Sequence, residues 1–168
     1  MNRSREPYWN LENCRKKTAE QSHPMERHTS YRFPKAMRLA SKKEIDALFT
    51  LGKTFSHGPF RVFYRFCEPA HPCLPGCSIA VTVPKKHLKS AVKRNLVKRR
   101  IRESFRLQYP HKLEPALTLS HTRLLFLCLY LPHEVKPWHF MAEKMEGLLS
   151  RFSELCEKSV ELPADSLN

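Results

Sequence analysis

Aspartate is nearly absent: Asp46 and Asp165 are the two in 168 residues. Glycine is scarce too, with four in the chain, and none of them builds a Gly-rich phosphate loop. A protein that cleaves phosphodiesters with two metal ions holds them in a cluster of carboxylates. The most basic part of this chain adds just Glu44, Glu68 and Glu103 to Asp46, so no catalytic residue and no metal ligand is assigned. His57, His87 and His111 lie in or near that region, but none comes with a recognisable nucleophile or partner. Long apolar runs are missing as well. The longest, "LLFLCLYL" (Leu124–Leu131), has eight residues, too few to span a bilayer, so no membrane partner is expected. The opening "MNRSREPYWNLENCRKK" has no apolar h-region, which argues against secretion and for the cytoplasm. The six cysteines then read as free thiols. Cys67, His71, Cys73 and Cys77 form C-x3-H-x-C-x3-C, but the paired C-x2-C of common zinc sites is lacking. With three prolines, "CEPAHPCLPGC" reads as a loop between strands.

Positive charge is what the chain has in excess, with 30 Lys and Arg against 16 acids and a net charge of +14. The excess is concentrated. Residues 31–106 hold eighteen basic and four acidic side chains, while residues 1–30 hold six and four and residues 107–168 six and eight. Such segregation suits a domain that faces nucleic acid better than charge spread for solubility.

The chain is long enough for one domain with a real core. Residues 1–30, polar and mixed in charge, read as a flexible extension, residues 31–157 as the folded domain and residues 158–168 as a tail. Ser41 with Glu44 three residues on is a capping box, starting a helix on which Ile45, Leu48 and Phe49 fall on one face and which stops at Gly52. "FRVFYRF" (Phe60–Phe66) alternates as a strand and can pair with a short one near Thr54–His57. "CSIAVTV" (Cys77–Val83) is a third strand, Ser90–Leu107 a helix, and Leu124–Tyr130 a buried strand. From Trp138 to Leu155 apolar residues repeat at three and four, with Pro137 suited to the first helical position. The predicted fold is α+β, a small four-stranded sheet covered by helices in the order αβββαβα.

The helix "KRNLVKRRIRESFR" (residues 93–106) puts seven Lys or Arg in fourteen positions with one acid, Glu103. On a helical wheel Val97, Ile101, Ser104 and Phe105 share a side that can lie on the sheet. Arg94, Lys98 and Arg102 form an i, i+4 row, flanked by Asn95, Arg99 and Arg106. Like charges four apart repel by a few tenths of a kcal/mol per pair. A solvated face usually mixes signs. Lys85, Lys86 and Lys89 carry the charge into the preceding loop, and Arg61 and Arg65 alternate with rings on the aromatic strand, alongside Phe63. Cations for phosphates beside rings for unstacked bases suit single-stranded RNA. Two other readings stay open on the residues alone: a merely solvated helix face, and rings that are simply core. A helix-turn-helix DNA binder would need a second helix just upstream, where strand-like "SIAVTVP" stands.

"KRNLVKRRIRESFR", preceded by "VTVPKKHLKSAV", closely resembles the signature of the protein component of bacterial ribonuclease P. The similarity extends over about residues 38–157 and includes "RLASKKEIDALFTLGK". The resemblance implies a left-handed β-α-β crossover, against the right-handed rule. It also implies a division of labour: a catalytic RNA with bound Mg²⁺ removes the 5′ leader of precursor tRNA, and the protein, with no cofactor of its own, binds that RNA and the leader. By the resemblance, Lys85, Lys86, Arg94, Asn95, Lys98, Arg99 and Arg102 contact the RNA, with Lys89 and Arg106 extending that surface. Phe49 and Phe63 match cleft aromatics, with Arg61 beside them and Ile45 where an aromatic is common. The chain reads Arg94-Asn95-Leu96 where Arg-Asn-Arg is frequent, and its basic loop is one residue longer than usual and lacks the customary glycine. A ribosomal or other RNA-binding protein with a similar small domain is the runner-up.

Overall fold

Ser41 starts the first long helix, as its spacing from Glu44 predicts. The structure, a computed structural model describing residue 31 and residues 33–68 and 76–160, places helix α1 at Lys42–Leu51. The Ser41 hydroxyl accepts the Glu44 N–H at 3.4 Å. The second half of the expected capping box is replaced, because the Glu44 carboxylate is paired with Arg123. Gly52 joins α1 directly to strand β1 (Lys53–His57), and a Cβ there would stand 2.2 Å from the Leu48 carbonyl. Strand β1 turns back into β2 (Phe60–Cys67) through Gly58 and Pro59. Gly58 takes φ +55°, and proline cannot follow it into positive φ, so the turn puts its one left-handed residue first.

After β3 (Cys77–Thr82) the chain enters α2 (Ala91–Lys112), capped by the Ser90 hydroxyl. Helix α2 outruns the expected Leu107 by passing through Pro110. Proline removes one helical hydrogen bond, but Tyr109 and Leu113 on either side are buried in the core and hold that last turn in place. The break falls at Leu113 (φ −123°, ψ −37°), and Pro115 then starts α3 (Glu114–Leu119), a helix absent from the expected order. Strand β4 (Arg123–Tyr130) and α4 (Trp138–Val160) complete the chain. Pro137 lies just before α4 rather than at its first residue, and its carbonyl accepts the Met141 N–H.

The sheet order is β1-β2-β4-β3, with β1/β2 and β2/β4 antiparallel and β3/β4 parallel, so the α+β class and the four-stranded sheet are as expected. The two faces of the sheet differ. Phe60, Val62, Tyr64, Ile79, Leu124, Phe126, Cys128 and Tyr130 join the main core with α2 and α4. Their alternates Phe63, Ala80, Leu125, Leu127 and Leu129 face the other way, where Ile45 and Leu48 of α1 and Leu39 make a much smaller cluster. Ten residues of helix cover about 15 Å, so this second face is roofed only in part.

Candidate nucleic-acid interface

The 3.6-residue period of α2 separates two kinds of surface. Val97, Ile101, Ser104, Phe105 and Tyr109 are at most 4 % exposed. On the other side Asn95, Arg99 and Arg102 are exposed and Arg94 and Lys98 half-buried, while Lys85, Lys86 and Lys89 stand exposed in the loop before the helix. The ion pairs among the described residues involve none of these basic residues. Among the described residues their charge is therefore uncompensated.

Three arginines of α2 have local duties that sequence could not show. Arg94 Nη1 donates to the Leu88 carbonyl at 2.9 Å and the Lys89 carbonyl at 2.6 Å, tying the basic loop to the first turn of the helix. Arg100 donates to the Lys136 carbonyl at 2.7 Å, joining α2 to the segment before α4. Arg106 is paired with Glu103 and donates to the Tyr31 carbonyl, so its charge is already offset. That pairing holds the Glu103 carboxyl below the usual carboxylate range. In the loop, desolvation, then His133 and Lys86, push His87 below the ordinary imidazole range. Its ring nitrogen lies 3.4 Å from one of His133.

The partly roofed face holds the aromatic part of the site. Cross-strand pairing sets Thr54, Phe63, Leu127 and Ala80 in one row and Ser56, Arg61, Leu129 and Thr82 in the next. Phe49, 55 % exposed on α1, meets the half-buried Phe63 edge to face with ring centroids 5.1 Å apart. The Arg61 guanidinium lies 5.7 Å from the Phe63 centroid, within cation–π range. Thus Phe49, Phe63 and Arg61 come together. Ile45 is partly buried and packs against the small cluster beneath α1. Arg61 and Thr82 share the end of the sheet from which β3 leads into Lys85 and Lys86, so Arg61 and the basic loop border the same end, with Phe63 one row further in. Thr54, Ser56, Thr82 and Leu129 border this surface without having been singled out, since only strand register could place them there.

The described residues hold no group of three His, Cys, Asp or Glu that could take a metal ion. Of the cysteine–histidine loop, His71 and Cys73 lie outside the described residues. Cys67 donates its thiol to the Arg123 carbonyl, and Cys77 is buried in the main core, where desolvation drives its thiol far above the ordinary range. Among the described residues no helix is long and apolar enough to cross a membrane.

Sheet, crossover helix and partly roofed aromatic face together define a small α+β protein with a strongly cationic side to its second long helix. The family described as Ribonuclease P matches residues 33–128, more than half of the chain, and the chain belongs to that family. The ribonuclease P protein component of Porphyromonas gingivalis (strain ATCC 33277) is 42% identical over 73 residues, covering 44% of this chain and 52% of the relative. That of Nitrosococcus oceani is 35% identical over 74 residues, covering 44% and 58%. The chain therefore spans little more than half the length of these relatives. The fold is also that of the RNase P protein from Thermotoga maritima, with TM-score 0.53 at 21% identity over 68% of this chain and 96% of that one. The Staphylococcus aureus RNase P protein gives 0.51 at 20% identity over 70% and 95%.

Proposed function

We propose that this chain is the protein component of a ribonuclease P, a ribonucleoprotein that removes the 5′ leader from precursor tRNA. The observation that carries the proposal is the combination, in a member of this family, of a helix whose Lys98, Arg99 and Arg102 have no acid partner among the described residues with a partly roofed sheet face on which the exposed Phe49 meets Phe63. In this reading Lys85, Lys86, Lys89, Arg94, Asn95, Lys98, Arg99 and Arg102 meet phosphates of the catalytic RNA, and the released counterions drive binding. Phe49 and Phe63 stack bases of the single-stranded leader without regard to sequence, with Arg61 on the adjoining phosphate. Hydrolysis belongs to the RNA and its Mg²⁺. The protein raises local cation density and holds the leader in line, and it works in the cytoplasm where its RNA partners are. Reconstitution tests this. Alone, the protein should leave precursor tRNA intact, and added to ribonuclease P RNA it should stimulate cleavage most at low Mg²⁺. Cleavage by RNA alone that the protein leaves unchanged would overturn the reading in favour of a more general RNA-binding role.

A further inference from the structure

β4 reads Arg-Leu-Leu-Phe-Leu-Cys-Leu-Tyr, and its first residue is out of keeping with the rest. Arg123 is 9 % exposed. Its Nη1 donates to Glu44 Oε1 at 3.0 Å and its Nη2 to Ser78 Oγ at 3.1 Å. The Ser78 hydroxyl in turn donates to the Ala36 carbonyl at 3.2 Å. One guanidinium thus fastens α1, β3 and the segment before α1 to the start of β4. As a source of stability this is a poor arrangement. Burying an ion pair rarely gains over apolar packing, and here Nε is buried with no hydrogen-bond partner among the described residues. What the fork supplies is direction, since two of its donors fix the approach of a carboxylate and a hydroxyl at once.

The helix so held is the one that carries Phe49. Four buried residues, Leu39, Leu48, Leu125 and Leu127, form the centre of the cluster beneath α1, a small seat for a helix. Glu44 and Phe49 lie about 7.5 Å apart along the axis, so a tilt of the first turn is passed to the ring. We infer that Arg123, through Glu44, is a positioning residue that sets the Phe49 ring against Phe63 and thereby sets how strongly a single-stranded leader is held. This rests on the leader-binding role proposed above.

The test uses the holoenzyme reconstituted from the full chain and ribonuclease P RNA, with precursor tRNA and the matching mature tRNA as ligands. Glu44→Gln should lower the preference for precursor over mature tRNA about 3- to 10-fold, a part of the loss expected when the stacking ring itself is removed. Mature tRNA and catalytic RNA should bind as before. In the free protein, the ring-current shifts of Phe63 protons should move toward solvent-exposed values. Arg123→Lys, which retains charge but not the fork, should fall between Glu44→Gln and the parent. If the single change unfolds the chain by stranding Arg123, the double variant Glu44→Gln with Arg123→Met removes both charges, and it should fold and still lose the preference. Unchanged preference and unchanged Phe63 shifts in Glu44→Gln, with Phe49→Ala still lowering the preference, would overturn the inference and leave the leader role standing. If Phe49→Ala itself leaves the preference intact, the leader role fails and the inference with it. A large fall in melting temperature in the double variant, with both tRNAs lost together, would show Arg123 to be structural only.

Discussion

Phe49 leaves more than half of its surface in solvent while one edge touches Phe63. Ring surface in solvent is what a stacked base needs and a core ring does not offer. Each such stack is worth about 1–3 kcal/mol by alanine substitution. Phe49→Ala and Phe63→Ala should therefore weaken precursor tRNA binding by roughly 5- to 150-fold, measured on the holoenzyme, with mature tRNA affected far less. The two should differ in folding. Phe49→Ala should melt near the parent temperature, whereas the half-buried Phe63, packed against the cluster beneath α1, should cost some stability as well.

At the scale of the element, α2 separates its functions by turn. Replacing Lys98 and Arg102, which have no acid partner among the described residues, should each flatten the slope of log affinity for ribonuclease P RNA against log salt by about 0.7–0.9. Arg106→Ala should change the slope much less, because Glu103 already offsets that charge. Arg94→Ala should flatten the slope and also release the loop that carries Lys85, Lys86 and Lys89, since its guanidinium holds the Leu88 and Lys89 carbonyls. Binding titrations across a salt series give all four slopes. Equal slopes for Arg102→Ala and Arg106→Ala would show that the pairing with Glu103 opens when RNA binds.

Across the whole molecule, α4 lies beyond the stretch matched to the family and yet completes the core. Met141, Met145, Leu148, Leu149, Phe152 and Cys156 are all fully buried. Phe152 meets Phe55, Tyr64 and Phe126 at ring-centroid distances of 5.6, 5.3 and 5.1 Å, so one ring joins three of the four strands to one helix through β1, β2 and β4. Phe152→Ala should cost about 3–5 kcal/mol of stability in thermal or denaturant unfolding. At temperatures where the variant remains folded, its preference for precursor over mature tRNA should be that of the parent, because the ring is on the opposite side of the sheet from Phe63. Loss of that preference in the folded variant would mean that the two faces are coupled.

Much of this was settled by sequence alone. The alternation of Phe60 through Phe66 assigned Phe60, Val62 and Tyr64 to one side and Arg61 and Phe63 to the other, since a strand has two faces and a period of two. The run from Lys93 to Arg106 sorted itself into apolar and cationic sides for the same kind of local reason. Tertiary structure decided what depends on residues distant in the chain. Nothing near Pro110 says that Tyr109 and Leu113 will find a core that carries α2 past it, and a chain-order reading has no signal that β4 lies between β2 and β3. Glu44 looked like the second half of a capping box because Ser41 is three residues away. Its carboxylate went instead to Arg123, 79 residues on, because folding brings a buried, permanently charged guanidinium beside it, and such a group needs a carboxylate more than an exposed backbone N–H, which water can serve, needs a cap.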